Sequence, residues 1–394
     1  SVAHSERFRR QLVDAITTLR VGYPDDPESV MGPVIEPAAG KLLGGLTDLS
    51  RGESWLLEPT QLDKTGRLWS PGVRDNVKPK STFHTTEYFG PILGIMNART
   101  LDDALAMQNG VDYGLTAGIH SLDPAEVSYW LDRVQAGNCY VNRGITGAIV
   151  QRQPFGGWKK SSVGPGTKAG GPNYLMGLGS WRRSAATVDL AGNQADETLR
   201  DIATLTAGED EQARSFLERS LASDHQAWTG VFGVSTDPSG LGVERNVFRY
   251  RPTEVTIRAE SFVLVSEIVR VCLAGMRAGA RMHLSLNDPL PNEVVGALRQ
   301  GAKGLGSVLS YTVELDREFV DRVAGNPPSR IRLIAARADA MAVAFDGAPE
   351  IALYGHEVTE SGRVEMLPFV KEQAVSITAH RFGAPDPRFA NLAV

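Results

Sequence analysis

Apolar residues recur along this chain at helical spacing in some stretches and at alternate positions in others. The first stretch follows Ser5, a residue type that caps helices, and places Phe8, Leu12, Ile16 and Leu19 on one face. The spacing therefore predicts that the chain enters an amphipathic helix at once.

Helical and strand patterns then alternate up to about residue 180. Because strands that alternate with helices usually form a largely parallel sheet, we expect helices packed on such a sheet and ligands at the carboxyl ends of its strands. The predicted elements are strands over 54–58 and 91–98, a helix over 101–110 capped by Thr100 and ended by Gly110, a strand over 115–121, a helix over 123–134 with Pro124 at its first position, and a strand over 137–143.

The composition changes after this region. Residues 182–242 are charged, rich in alanine and helical in tendency, and we interpret them as a helical linker between a domain over 1–181 and another over 243–394. Beyond Asn246 the alternation resumes and predicts a second, Rossmann-like α/β domain that ends, over 374–394, in a strand and an irregular tether. Its predicted elements are a long helix ending near Ala278, strands over 282–286, 307–313 and 330–335, and helices over 291–302 and 316–325.

Composition limits the classes of function. The chain has 394 residues, a formal charge of -5, 42% hydrophobic and 22% charged residues, which is typical of a globular protein without a nucleic-acid partner. The most apolar stretch, 261–276, contains Glu267 and Arg270 and is predicted to be a buried helix rather than a membrane span. Two cysteines form no disulfide framework, and no secretory leader is present, so we expect a cytoplasmic protein.

The two cysteines are predicted to be core residues. Cys139 lies in an apolar strand between Asn138 and Tyr140, where a small hydrophobic residue would serve equally well, and Cys272 lies on the predicted long helix. The seven histidines form no pair or cluster at metal-ligand spacing, so no metal site is predicted.

The stretch TEYFGPIL resembles the E-x-F-G-P motif of the aldehyde dehydrogenase superfamily, although a glutamate and Gly-Pro before an apolar strand could alone be an ordinary turn. Five motifs in the order of that family make the resemblance specific. They are LRVGYPDDPESVMGPVI, TEYFGPIL, YGLTAGIHS, GNCYVNR and QPFGGWKKSSVGPGTKAGGPNYL. The resemblance implies the α/β catalytic-domain fold of the aldehyde dehydrogenases for this part of the chain.

Within that superfamily, YVNRGITGAIVQRQPFGG and GPGTKAGGPNYL are most similar to L-glutamate γ-semialdehyde (Δ1-pyrroline-5-carboxylate) dehydrogenases. That resemblance implies that Gly147 and Ala148 hold the carboxylate of the substrate and that Phe155 packs against its aliphatic chain. Bare backbone N–H groups suit a carboxylate because they do not crowd it. Phe155 could instead be a core aromatic residue behind the turn at Gly156 and Gly157.

The same likeness implies an NAD cofactor. Glu87 would accept hydrogen bonds from the nicotinamide ribose hydroxyls, and Phe89 would brace the nicotinamide side of the site. The family's nucleophilic cysteine, general-base glutamate and oxyanion-hole asparagine are expected upstream of Ser1, so no catalytic residue is assigned within this chain. The preference between NAD and NADP stays open.

The C-terminal part has a likeness of its own. GVERNVFRYRP and the terminal EQAVSITAHRFGAPDPRFANLAV resemble the C-terminal domain of long proline utilization A proteins, a domain without chemistry whose tail covers the catalytic region. In that family a flavin-dependent proline dehydrogenase lies upstream, so FAD is expected only there.

The resemblance therefore predicts the C-terminal part of an NAD-dependent L-glutamate γ-semialdehyde dehydrogenase of proline catabolism. We expect it to be inactive alone and to need the upstream part of the same protein as a partner, and a homo-oligomer could use residues 149–162 as an interface hairpin. Two alternatives remain: a non-catalytic scaffold or lid protein that keeps the fold, and an enzyme for aldehydes without a carboxylate.

Overall fold

The structure, a computed structural model, describes residues 2–179 and 196–394. It forms two compact units, one of Ser1–Asp112 with Asp132–Val134 and one of Tyr113–Leu131 with Gln135–Val394. The predicted boundary between 181 and 182, and the first part of the predicted helical linker, lie outside the described residues.

The first unit contains a small three-stranded sheet and four helices. Its middle strand pairs antiparallel with the first strand and parallel with the third, and it was not predicted from the sequence. The elements are helices α1 Glu6–Thr17, α2 Gly40–Thr47, α3 Thr82–Thr85 and α4 Leu101–Asn109, strands β1 Ser54–Leu57, β2 Gly72–Asp75 and β3 Ile92–Gly94, and a single helical turn Val2–His4.

Side chains cap two helices of this unit as predicted. Ser5 Oγ accepts from the N–H of Phe8 at 3.3 Å at the start of α1, and Thr100 Oγ1 accepts from the N–H of Asp103 at 3.0 Å at the start of α4. The α4 helix ends at Gly110, again as predicted. Within the described ranges, α1 buries none of its residues despite its apolar face.

The second unit contains most of the secondary structure. Helix α5 belongs to both units, since its last two residues are part of the first unit. The helices are α5 Pro124–Arg133, α6 Glu197–Ala207, α7 Glu211–Ala227, α8 Val265–Arg277, α9 Asn292–Gly304, α10 Asp316–Gly325, α11 Ala338–Ala344, α12 Gly362–Glu365 and α13 Pro387–Ala390, with single turns at Tyr174–Leu178, Trp228–Phe232 and Leu367–Phe369. The strands are β4 Tyr113–Gly114, β5 Thr116–Ile119, β6 Asn138–Val141, β7 Trp158–Lys159, β8 Glu244–Pro252, β9 Glu254–Ala259, β10 Arg281–Leu286, β11 Val308–Val313, β12 Arg330–Ile334, β13 Ala352–Tyr354, β14 Val370–Thr378, β15 His380–Arg381 and β16 Ala384–Pro385.

A four-stranded sheet in the order β5-β6-β14-β8 joins distant parts of the sequence. Strands β5, β6 and β14 are parallel, and β8 runs antiparallel to β14. Val375 of β14 lies beside Cys139 of β6, and the N–H of Ala374 donates to the Gly137 carbonyl oxygen at 2.9 Å. Because these strands come from both sides of the predicted boundary, the compact units do not follow the predicted limits of 1–181, 182–242 and 243–394.

A parallel five-stranded sheet in the order β11-β10-β9-β12-β13 forms the Rossmann-like layer that the sequence predicted. The order reverses at β9, as in one half of a doubly wound fold. Helix α8 packs on this sheet and buries nine consecutive residues, Ile268 to Met276, which confirms the predicted buried helix. No helix in the described ranges combines the length and apolar character needed to cross a bilayer.

Helices α6 and α7 correct the interpretation of this region as a linker. Leu199 of α6 and Leu217 of α7 are 2% and 0% exposed and belong to the same core as α8. The contact between α6 and α9 is close, since a Cβ atom added to Gly301 would lie 2.2 Å from Ile202 Cδ1. The charged residues that suggested a linker lie on the outer faces of core helices.

The chain terminus is more ordered than the predicted tether. Strands β15 and β16 form a hairpin, and α13 follows it. Arg245 of β8 donates to the carbonyl oxygens of Phe389 at 3.2 Å and Leu392 at 2.6 Å, and Phe389 is buried. These bonds attach the terminus to β8.

Candidate functional site

The loop after β6 carries the predicted carboxylate anchor. Tyr140 is buried, and its hydroxyl donates to the Gly147 carbonyl oxygen at 2.7 Å. With its amide nitrogen facing the same carbonyl, Gln153 donates to it at 3.1 Å and accepts from Ser376 Oγ at 2.7 Å. Two side chains from the sheet and the loop therefore fix this peptide unit.

The backbone N–H groups of Gly147 and Ala148 are the donors of the predicted anchor. Gly147 has a φ of 115°, a conformation that residues with a Cβ atom rarely adopt. Gly147 and Ala148 are both exposed, and within the described residues neither of their N–H groups donates to any acceptor. The loop thus leaves two neighbouring N–H groups without an acceptor among the described residues.

Phe155 follows this loop in the sequence and forms an antiparallel bridge with Ala169. Its backbone N–H donates to the Ala169 carbonyl oxygen at 3.0 Å and its own carbonyl accepts from Ala169 at 2.9 Å, while its side chain is half-buried. Asn138 of β6 supports the turn, since Nδ2 donates to the Pro154 carbonyl oxygen at 3.0 Å and Oδ1 accepts from the N–H of Gly156 at 3.1 Å.

A buried lysine, Lys168, also supports this turn. Lys168 is fully buried, and its ammonium donates to Asn138 Oδ1 at 3.0 Å and to the Gly156 carbonyl oxygen. Burial lowers the pKa of Lys168 to about 8, against the opposing attraction of Glu372. The backbone of Lys168 is held as well, because its N–H donates to Glu372 Oε2 at 2.6 Å.

Glu372 connects β14 to this loop. Its second oxygen accepts from Asn173 Nδ2 at 2.7 Å, and its carbonyl oxygen accepts from Trp158 Nε1 at 2.7 Å. Burial raises the pKa of the Glu372 carboxyl group, although bonds from Asn173 and Lys168 act in the other direction. Strand β14 therefore holds the segment that carries Phe155.

The predicted cofactor residues lie in the first unit, on the segment between α3 and β3. Phe89 has a φ of 52° and is 73% exposed, while the neighbouring Tyr88 stacks on Phe83 with 5.0 Å between ring centres. A Cβ atom on Gly45 of α2 would lie 2.3 Å from the Tyr88 ring, so this packing requires a glycine there. Tyr88 thus packs against α2 and Phe83, whereas the neighbouring Phe89 faces solvent.

Glu87 presents a free carboxylate. Its side chain is exposed, and across the described part of the chain it has no hydrogen-bond or ion-pair partner. An unpaired carboxylate is the acceptor that vicinal ribose hydroxyls require, so the residue present fits the predicted role. Glu87 and Phe89 belong to one unit, and Gly147, Ala148 and Phe155 to the other.

Neither cysteine has the environment of a nucleophile. Cys139 is 1% exposed, and its thiol donates to the Ala136 carbonyl oxygen at 3.7 Å. Burial raises the pKa of Cys139 to about 12 and that of Cys272, which is fully buried, to about 12 as well. Both are core residues, as predicted, because a reactive thiolate requires a depressed pKa and access to its substrate.

No group of three or more histidine, cysteine or acidic side chains that could hold a metal ion occurs in the described ranges.

The sequence analysis did not predict the residues that support the loop: Tyr140, Gln153, Asn138, Lys168 and Glu372. Alternation along β6 places Asn138 and Tyr140 on one face and could have indicated them, whereas nothing near Glu372 in the sequence indicates its partners.

The model of the aldehyde dehydrogenase family matches residues 2–180. This part of the chain is therefore similar to the aldehyde dehydrogenases. The predicted aldehyde dehydrogenase fold is thereby confirmed for this part, which includes the Glu87 segment, β5, β6 and the Gly147 loop.

Named relatives are similar to less than half of the chain. A 1-pyrroline-5-carboxylate dehydrogenase of Bacillus subtilis is 35% identical over 180 residues, covering 45% of this chain and 35% of that protein. One of Geobacillus sp. is 36% identical over 172 residues, covering 43% of this chain and 33% of that protein.

One solved structure is similar over nearly the whole chain. Proline utilization A (PutA) of Corynebacterium freiburgense has 42% sequence identity and a TM-score of 0.79, covering 96% of this chain and 35% of that one. The chain therefore spans about a third of the length of these relatives.

Proposed function

We propose that this chain is the C-terminal part of an NAD-dependent L-glutamate γ-semialdehyde (1-pyrroline-5-carboxylate) dehydrogenase that acts in proline catabolism. The observation that carries the proposal is the pair of unpaired N–H groups at Gly147 and Ala148, on a loop whose following turn bears Phe155. The names of the relatives in Bacillus subtilis and Corynebacterium freiburgense support it.

The anchor suits a substrate whose aliphatic chain carries both an aldehyde and a carboxylate. The two N–H groups donate to the carboxylate oxygens, and the missing side chain of Gly147 leaves room for both. A hydrogen bond to a charged group contributes about 1.5–3 kcal/mol, so the anchor can distinguish the semialdehyde from an aldehyde without a carboxylate. Phe155 supplies the apolar wall for the methylene groups.

NAD is the cofactor of this proposal, and when bound it accepts a hydride from the aldehyde carbon. The free carboxylate of Glu87 accepts hydrogen bonds from the nicotinamide ribose, and the exposed ring of Phe89 braces the nicotinamide side.

The nucleophile, the general base and the oxyanion-hole asparagine come, in this proposal, from the upstream part of the same protein, because both thiols of this chain are buried and protonated. The isolated chain should therefore not reduce NAD when given the semialdehyde. FAD in an upstream proline dehydrogenase domain rests on the family resemblance, and the cytoplasmic location stays a prediction.

The test uses a protein that includes the upstream part, with formation of NADH followed for L-glutamate γ-semialdehyde and for butanal. Gly147→Ala strains a φ of 115° and displaces the anchor, so KM for the semialdehyde should rise about tenfold or more, the loss of one charged hydrogen bond. KM for butanal should stay the same.

Gly144→Ala is the matched control in the same loop, since its added Cβ atom meets only Thr146 Oγ1 at 3.9 Å and its φ is not positive. If Gly147→Ala raised KM equally for both aldehydes, the carboxylate-anchor role would be wrong. Equal catalytic efficiency of the parent protein with butanal and the semialdehyde would favour the enzyme for aldehydes without a carboxylate.

A non-catalytic scaffold or lid is the second candidate, and the burial of both thiols favours it. The coding sequence upstream of Ser1 separates the two, because a Gly-Gln-x-Cys loop there supports the enzyme and its absence supports the scaffold.

A homo-oligomer is also proposed, since Ile149 and Val150 are 50% and 72% exposed. Light scattering of the chain and of Val150→Lys would test that assembly.

A further inference from the structure

The amine of Lys371 on β14 has an unusual environment that no step of the proposed function uses. Its side chain is half-buried, and among the described residues its ammonium group has neither a hydrogen-bond acceptor nor an ion-pair partner. Nζ lies 4.2 Å from the centre of the Trp158 ring and is not one of the unpaired atoms that are closed off from solvent. An ammonium group carries three donors, so the charged form of Lys371 is poorly satisfied here.

The charged groups that act on this amine are cations. Arg251 of β8 lies opposite Lys371 in the antiparallel register, so the two side chains share one face of the sheet. Lys159 of β7 and Arg330 of β12 add two further positive charges near Nζ. Glu372, the next residue along β14, points to the other face, where both of its carboxylate oxygens are already bonded. Within the described residues, Lys371 thus has like charges around it and no counter-charge.

These charges and the burial of Lys371 favour its neutral amine. Burial, followed by repulsion from the three cations, lowers the pKa of Lys371 to about 8. The Trp158 face attracts the charged form, but it supplies no acceptor in place of a carboxylate. At pH 7.5 about a quarter of Lys371 is therefore amine, against about a thousandth of a lysine with an ordinary pKa.

Lys168 shows why the access of Lys371 to solvent matters. The pKa of Lys168 is also lowered to about 8, but this residue is fully buried, and its ammonium donates to Asn138 Oδ1 and to the Gly156 carbonyl oxygen. A solute cannot reach that amine. Lys371 combines a weakened hold on its proton with an open side and no acceptor, which are the conditions under which lysines act as nucleophiles.

We propose that Lys371 is a nucleophilic lysine that forms an imine with a small aldehyde bearing an anionic group. The amine lone pair attacks the carbonyl carbon, the carbonyl oxygen leaves as water with the two amine protons, and a C=N bond to Nζ remains. No oxidant, reductant or activated donor is consumed. Arg251 and Lys159 attract the anionic group. The chemistry does not depend on the Gly147 loop, so it can be tested on the 394-residue chain alone.

Reductive labelling of the chain tests this reactivity. The chain is mixed with 4-formylbenzoate and sodium cyanoborohydride at pH 7.5, so that each imine is reduced to a stable secondary amine, and peptide mass mapping gives the labelling rate at each lysine. Lys371 should be labelled at least about tenfold faster than the exposed Lys64 and Lys303, because far more of it is amine. Equal rates at Lys371 and Lys64 would overturn the proposal.

Two comparisons within the same experiment separate this site from general lysine chemistry. Lys168 should stay unlabelled despite its similar pKa, because it is fully buried. Labelling of Lys168 as fast as that of Lys371 would mean that the reagent reports opening of the fold, and the proposal would be wrong. The rate at Lys371 should level off above about pH 9, whereas the rate at Lys64 should go on rising. Parallel pH profiles would contradict the proposal as well.

A second aldehyde and a pair of variants test the role of the surrounding charges. Benzaldehyde lacks the carboxylate, so the preference of Lys371 for 4-formylbenzoate over benzaldehyde should exceed that of Lys64 about two- to fivefold, and more so at low salt. Lys159→Gln removes one neighbouring cation and should slow the labelling of Lys371 by a similar factor. Lys303→Gln, the control, removes an exposed lysine that does not act on Lys371 and should leave the rate unchanged. Equal effects of the two variants, or equal aldehyde preferences at Lys371 and Lys64, would refute the part that the cations play.

Discussion

Replacing Asp224 by asparagine should cost more stability than removing the entire ion pair that Asp224 forms with Arg270. Asp224 of α7 and Arg270 of α8 are 1% and 0% exposed. Arg270 Nη1 and Nη2 donate to the two Asp224 oxygens at 2.7 and 2.9 Å, and Nε donates to the Thr359 carbonyl oxygen at 2.9 Å. The pair thus joins two core helices and the loop before α12.

The magnitude follows from what each variant leaves behind. Asp224→Asn leaves the Arg270 guanidinium buried without a counter-charge, which costs about 3–5 kcal/mol. Burial raises the pKa of Asp224 even with Arg270 beside it, so desolvation outweighs the attraction within the pair. The double variant Asp224→Leu with Arg270→Met removes both charges and should cost less than about 2 kcal/mol.

Urea denaturation of the 394-residue chain and its variants, followed by circular dichroism and fluorescence, measures these free energies of unfolding. Asp321→Asn is the matched control, because Asp321 forms an exposed ion pair with Arg317 at 3.9 Å and should change stability little. If Asp224→Asn cost no more than Asp321→Asn, or if the double variant were less stable than Asp224→Asn, the reasoning from buried charge would be wrong.

Three further predictions concern the loop and the core. Tyr140→Phe removes the hydroxyl that holds the anchor carbonyl and should raise KM for the semialdehyde about two- to tenfold in the protein with its upstream part, with KM for butanal unchanged. The Lys168 ammonium has a pKa of about 8 in the folded chain against 10.5 unfolded, so the unfolded state binds more protons between these values and stability rises with pH there. Lys168→Met should lose that part of the rise, at most about 3.5 kcal/mol at about 1.4 kcal/mol per pKa unit, in urea titrations across this pH range. Gly301→Ala should lower the free energy of unfolding by about 1–3 kcal/mol through its clash with α6, whereas Gly296→Ala in the same helix, where a Cβ atom meets nothing, should not lower it.

Elements with a local signal could be predicted from the sequence. Thr100 and Gly110 mark the two ends of α4, and Pro124 stands at the first position of α5, because capping and fixed φ are properties of one or two residues. Helix α8 was equally clear from the apolar stretch over 261–276. Such signals act within one turn of helix and need no knowledge of the remaining fold.

Pairings between distant segments could not be predicted in this way. Strand β14 lies beside β6, and Glu372 bonds Lys168 and Asn173 from about two hundred residues along the chain. Backbone hydrogen bonds carry no residue code, so the sequence of β14 does not name its neighbour. The same limit made α6 and α7 look like a linker, since their partners in the core, α8 and α9, follow much later.

Strand β6, which has four residues, shows both the local signal of a strand and its dependence on distant partners. Side chains alternate along a strand, so Asn138 and Tyr140 of β6 face one side and Cys139 the other. Asn138 and Tyr140 hold the turn behind Phe155 and the carbonyl of Gly147, while the thiol bonds back to Ala136 in the core. If β6 moved by one residue in register, the thiol would face the loop and both supporting side chains would leave it. The pairing of β6 with β5 and β14 therefore decides that Asn138 and Tyr140 support the Gly147 loop and that the Cys139 thiol faces the core.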